Sequence, residues 1–174
     1  MPSALFACLL IMLLSLVLPT GWASAADAPS RLAVRAGETQ EELACLPFQP
    51  GEEFHLLFIN SIYLAPVKET MTYTVEEGIV VIRVESPSAG VFEYYGLPGD
   101  GSGKAALNRR IGEIRIRSSD YASHRLIAGG KTLDLKGLVA DGDPLVVTVE
   151  EGECCDGSCQ RPSPPGYFFP VQIR

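Results

Sequence analysis

Ser61, His124 and Glu69 supply the three side-chain types of a hydrolase: a hydroxyl nucleophile, an imidazole base and a carboxylate to orient it. No G-x-S-x-G elbow surrounds Ser61, and the chain holds only two histidines. His124 therefore reads as a structural hydrogen-bonder on a strand, and no residue is given a catalytic role. Its parity with Leu126 turns it toward the interior, where a polar group is tolerated only within a satisfied network. The run Gly99-Asp100-Gly101-Ser102-Gly103-Lys104 invites comparison with a phosphate loop. The comparison fails, because the first required glycine falls on Pro98 and Ala105 stands where serine or threonine must follow the lysine. A metal or redox site in E-C-C-D-G-S-C (Glu153–Cys159) lacks C-x-x-C spacing and nearby histidines, so no metal and no cofactor is assigned.

Strand parity identifies a second kind of candidate. Successive side chains of a strand point to opposite faces. In Val67–Val75, residues Val67, Glu69, Met71, Tyr73 and Val75 share one face and Lys68, Thr70, Thr72 and Thr74 the other. Glu69 is thus a carboxylate on an apolar face. In the preceding segment Phe54, Leu56, Phe58, Asn60 and Ile62 share a face, which makes Asn60 a second inward polar residue. A reversal through Tyr63–Pro66 is expected to bring Asn60 and Glu69 near each other across a hairpin. Ser61, on the opposite parity, reads as a turn or strand-end hydroxyl. A carboxylate buried alone costs several kcal/mol or more, so Glu69 needs a partner or a ligand. Two readings stay open: a structural carboxylate that ties down the hairpin, or an acid at the mouth of a ligand pocket with a pKa displaced by burial. The long stretch Ser86–Arg110 has little periodicity and reads as a lid, a binding loop or a mobile segment. Its aromatics Phe92, Tyr94 and Tyr95 would either wall such a pocket or cover the end of the core. Asn60, Ser61, Glu69, His124, Tyr94 and Tyr95 are the candidates for ligand binding or a polar core.

The elements that must position these residues are all β. Candidate strands are Leu32–Arg35, Glu42–Phe48, Glu53–Tyr63, Val67–Val75, Ile79–Glu85, Ile111–Ser118, His124–Ala128, Lys131–Leu135 and Leu145–Glu150, with reversals at Glu77-Gly78, Gly129-Gly130 and Asp141-Gly142. About nine short strands without a convincing amphipathic helix indicate a single small β-sandwich or partly closed β-barrel.

The chain of 174 residues divides into a leader over 1–25, a β domain over 26–150 and a Cys/Pro-rich tail over 151–174. Ala4–Leu18 is apolar save for Ser15, and the small residues Ala23-Ser24-Ala25 follow, as in a secretory signal cleaved before Ala26. The absence of lysine or arginine from Met1–Ala7 departs from that pattern. The run is shorter than the roughly 20 residues a spanning helix needs, so no stable membrane span is expected after cleavage. Four cysteines lie beyond it, Cys45, Cys154, Cys155 and Cys159, an even set that suits an oxidising, exported location. Neighbouring cysteines close no ordinary bridge. Cys45 is therefore expected to pair with Cys154 or Cys155 and Cys159 with the other, stapling the tail to the domain. The formal net charge of −7 belongs to the mature domain, since the leader carries no charge. An acidic domain is a poor partner for nucleic acid or anionic membranes. The arginines Arg109, Arg110, Arg115 and Arg117 form a local basic cluster that is mostly a solvated strand face.

The run N-S-I-Y-L-A-P-V-K-E (Asn60–Glu69) resembles the signature H-S-V-x-x-x-P-V-x-E of the bacterial family named domain of unknown function 1850. Ser88-Ala89-Gly90-Val91 is similar to the family's G-A-G segment, and Ser123-His124-Arg125-Leu126 before Gly129-Gly130 to its D-H-x-L-x-x-G-G segment. The likeness extends over about Leu32–Glu150, with Ser61, Pro66, Val67 and Glu69 unchanged. Asn60 stands where the family has histidine, which argues against titration, metal binding or base catalysis at this position. The resemblance implies an accessory, periplasmic or otherwise exported, of TRAP transporters that use TAXI-type binding proteins. It also implies partners among the permease, the solute-binding protein or a small-molecule ligand. The contrasting expectations are a structural envelope module and, least favoured, a hydrolase.

Overall fold

The computed structural model describes residues 29–98 and 101–154. Their strands are β1 (Ser30–Ala36), β2 (Glu42–Phe48), β3 (Phe54–Asn60), β4 (Ala65–Thr74), β5 (Gly78–Glu85), β6 (Lys104–Ile111), β7 (Ile114–Arg117), β8 (Arg125–Ala128), β9 (Lys131–Asp134) and β10 (Pro144–Glu151). One short helix, α1 (Ala89–Tyr94), lies between β5 and β6. The strands form two antiparallel sheets, ordered β2-β1-β10-β7 and β6-β5-β4-β3-β8-β9, so the fold is an all-β sandwich. No helix among the described residues is long and apolar enough to cross a membrane.

Alternation builds the core. In the smaller sheet Ala44, Val34, Val147 and Ile114 line up across the strands facing inward. They meet Phe54, Leu56, Val67, Met71 and Leu126 of the larger sheet in one buried cluster. Phe48 bridges the two layers edge-on to Phe54 with ring centroids 5.3 Å apart. On the outer face of the smaller sheet, Arg31 and Arg35 of β1 each bridge Glu42 of β2 and Glu150 of β10. Those four charges hold three strands in register, and the arginines keep Glu150 below its ordinary carboxylate pKa.

The chain crosses between sheets repeatedly, and β10 returns to pair with β1 from Ser30↔Glu151 to Ala36↔Leu145. At one side only Gly112 and Glu113 separate β6 from β7, which joins the sheets there. At the other side Gly129 packs on Pro47. Its φ is +53°, and a Cβ would stand 2.6 Å from the Pro47 carbonyl oxygen. A disulfide joins Cys45 of β2 to Cys154 just past β10, with Cα atoms 5.9 Å apart and a sequence separation of 109. Cys155, Cys159, the rest of the tail and the leader lie outside the described residues.

Two expectations are corrected. Ser86–Arg110 is no featureless loop, since it contains α1 and β6. As an edge strand, β6 offers Ala105, Leu107, Arg109 and Ile111 to the inner side, a pattern that Ala105 weakens and Arg109 interrupts. The expected strand Ile111–Ser118 is also two elements: Ile111 ends β6, and β7 begins at Ile114.

Replacing Cys45 with alanine frees a long loop in the unfolded chain and is expected to cost about 2–5 kcal/mol. Urea denaturation of wild type with and without reductant, beside Cys45→Ala, checks this: reduction should lower the wild-type midpoint by clearly more than the variant's.

Candidate functional site

Glu69 occupies the core-facing row Leu133, Leu126, Leu56, Glu69, Val84, Ala105, which crosses all strands of the larger sheet. It is the one charged member of an apolar row, and its partner comes from α1. Val91 and Phe92 sink into the core. The helix thereby sets Tyr95, its C-cap residue, over β4, where the hydroxyl donates to Glu69 Oε1. Arg109 of β6 closes the group by donating from Nη2 to the Tyr95 carbonyl oxygen at 3.4 Å. Burial pushes the Glu69 carboxyl above its ordinary range, while the Tyr95 hydroxyl and the Arg109 charge hold it back. Burial, and then the adjacent carboxylate, keep Tyr95 protonated far above the usual tyrosine range. Tyr94, the last residue of the helix, is 63 % exposed and meets the Tyr95 ring edge-on.

Asn60 and Glu69 do not meet. Leu56 pairs with Glu69 and Asn60 with Ala65, which places the two side chains on one face but about 13 Å apart along the strands. Asn60 instead caps the β3–β4 turn. Its Oδ1 accepts the Ile62 and Tyr63 N–H groups, each at 3.0 Å, so the hairpin spends the side chain on its own backbone. Ser61 is exposed in that turn. His124 is buried between Phe58, stacked at 5.8 Å, and Tyr121, edge-on at 5.4 Å. Burial lowers its pKa, partly offset by Asp120. Phe58 pairs with Val67 of β4 on one side and stacks on His124 at the other. Ser61, His124 and Glu69 therefore form no hydrogen-bonded triad. Of the six candidates, the structure joins Glu69 and Tyr95 by a hydrogen bond, and Tyr94 packs edge-on against Tyr95 with ring centroids 5.7 Å apart.

Three features escaped the sequence reading. Tyr121 is fully buried, and its hydroxyl lies 2.6 Å from the Asp143 carbonyl and 3.1 Å from that of Ile116. A hydroxyl has one proton, so the shorter contact carries the bond. The β3–β4 tip presents Ile62 and Leu64 at 65 % and 79 % exposure, and the Tyr63 ring lies where a Gly90 Cβ would project. The signal was present as I-Y-L at a reversal, where polar turn residues are expected. The third feature is an open cleft of about 580 Å³, which has Leu57, Ile59, Pro66, Lys68, Pro87 and Arg125 in its walls. By parity Leu57, Ile59, Pro66 and Lys68 belong to the outer face of the larger sheet, opposite Glu69. The tip, α1 and the cleft share one end of that sheet.

Comparison with family models, with characterised proteins and with solved structures yields no match to this chain.

Glu69 holds its proton to higher pH in the folded than in the unfolded protein, so it lowers stability as pH rises from about 4.5 through the folded value. Glu69→Gln should therefore melt above wild type at pH 7, with the gap closing below pH 4.5; melts across that range check it. Tyr95→Phe leaves the carboxylate without its donor and should cost about 1–3 kcal/mol. His124 acts in the other sense. Its folded pKa lies below 6.5, so stability falls as pH drops below that value, and His124→Phe should flatten the decline in the same melts.

Proposed function

We propose that this chain is an exported, non-catalytic accessory of a bacterial TRAP-type solute transporter, which docks on a transporter component through the β3–β4 tip. The tip carries the reading. Ile59, Ile62, Tyr63 and Leu64 present apolar surface at 42, 65, 40 and 79 % exposure, a cluster of the kind that marks interaction sites. The tip is also held in shape. Asn60 accepts two backbone N–H groups of the turn, and Tyr63 rests on Gly90 of α1. A rigid apolar tip loses little conformational entropy on docking.

Leu64 adds a second argument. Its φ is +49°, a left-handed conformation that costs a branched residue about 1–2 kcal/mol. Glycine or asparagine would fill the position at less cost. Strain kept at an exposed leucine points to use of its side chain. The likeness of Asn60–Glu69 to the transporter-linked family falls on this same turn. The leader pattern and the Cys45–Cys154 bridge support export. The glutamate bonded to Tyr95 and the burial of His124 between the Phe58 and Tyr121 rings favour docking over hydrolysis.

Leu64→Asn is expected to leave stability unchanged or raise it by up to about 1 kcal/mol. In Ile62→Asp/Leu64→Asn, loss of two central apolar anchors should weaken binding by about 2 kcal/mol or more. The check is solute uptake in a strain lacking this gene, complemented with each version, alongside co-purification with the permease or the solute-binding protein. Full uptake with the double variant would leave the envelope-module reading in its place.

A further inference from the structure

The cleft on the outer face of the larger sheet has a composition that the docking tip does not explain. Leu57 and Ile59 of β3 and Pro66 of β4 line it with apolar surface, with Pro87 beyond the end of β5. Its volume, about 580 Å³, falls in the ordinary range for small-molecule sites, which are mostly apolar with a few placed polar groups. The charges around it are uneven. Glu85 serves three cations at once: Arg83 at 3.2 Å, Lys104 at 3.3 Å and Lys68 at 3.8 Å. Arg83 also reaches Glu53, and Arg125 pairs with Asp134. Four cations thus stand against three carboxylates. Lys68, which lines the cleft, has the longest contact of the set and so the weakest hold on its partner.

A local excess of positive charge beside an apolar wall is notable in a chain of formal net charge −7. Long-range repulsion from the acidic surface would discourage polyanions, whereas a single carboxylate gains from the local field. Two cleft walls bring cations to one apolar trough, Lys68 from β4 and Arg125 from β8; Glu85 of β5 lines it too, with its charge met by Arg83, Lys104 and Lys68. Of the two, Arg125 makes its ion pair through Nε at 3.0 Å. Guanidinium carries further donors suited to a carboxylate.

We infer that the outer-face cleft is a binding site for a small amphipathic monocarboxylate, its apolar body against Leu57, Ile59, Pro66 and Pro87 and its carboxylate between Lys68 and Arg125. The site is separate from the docking tip and from the Glu69–Tyr95 pair on the opposite face. It does not depend on the transporter reading.

Decanoate is the probe, with decan-1-ol as its uncharged counterpart, and calorimetric titration of the full mature chain is the measurement. Decanoate is expected to bind one site and to raise the melting temperature. Decan-1-ol, Lys68→Gln and Arg125→Gln should each weaken binding by about tenfold, the effect of a lost charged hydrogen bond. Ile62→Asp/Leu64→Asn should bind decanoate as wild type does, which separates this site from the docking tip. Thermal melts confirm that each variant is folded. Equal binding of decan-1-ol, wild-type affinity in both charge variants, or no binding at millimolar decanoate would overturn the inference. So would sedimentation with phosphatidylglycerol vesicles in the absence of monomeric decanoate binding.

Discussion

The two-sided character of β4 governs the rest of the molecule. As a central strand of the larger sheet it cannot turn Glu69 to solvent without turning Val67 and Met71 out with it, since a one-residue slip moves the whole side-chain set to the other face. The carboxylate must therefore be met inside, and α1 and the edge strand β6 supply Tyr95 and Arg109 to meet it. The same alternation sends Pro66 and Lys68 outward to line the cleft. One strand's parity thus fixes both the half-buried Glu69–Tyr95 pair and the open surface behind it.

The sheet end where β3 turns into β4 concentrates the departures from economical structure. It holds a left-handed leucine, exposed isoleucines and an asparagine whose side-chain oxygen accepts two N–H groups of its own turn. Most of the other described residues follow ordinary practice, with apolar rows inward save for Glu69, charge networks outward and the first and last strands paired, while Gln40 in the β1–β2 turn is the second left-handed residue other than glycine. Stability is thus drawn from the sandwich, where β10 between β1 and β7 and the Cys45–Cys154 bridge bind the ends of the domain together. That division leaves the tip free to keep strain and apolar exposure that a core position could not tolerate.

Strands with strong alternation and clear turns, such as Glu42–Phe48 and Lys131–Asp134, were legible to within a residue because local pattern and tertiary burial agree there. β6 and α1 were not. An edge strand needs only one apolar side, and Arg109 breaks even that, because its guanidinium reaches back to the Tyr95 carbonyl rather than into the core. α1 is too short for helical periodicity to register and forms because Val91 and Phe92 find a buried site. The expected meeting of Asn60 with Glu69 rested on correct faces. What it lacked was register, which the four-residue turn Ser61–Leu64 sets.

By itself the sequence determined the all-β class, the inward placement of Glu69 and the pairing of Cys45 with one of two adjacent cysteines, because side-chain period and disulfide geometry are local properties. Tertiary structure alone decided what Glu69 touches, where Asn60 spends its hydrogen bonds and which side carries a cleft. Those outcomes depend on strand order and register, which bring Tyr95, Arg109, Lys68 and Arg125 together from segments distant in the chain. No local pattern encodes such distances; they follow from the competition of every apolar row for the same shared interior.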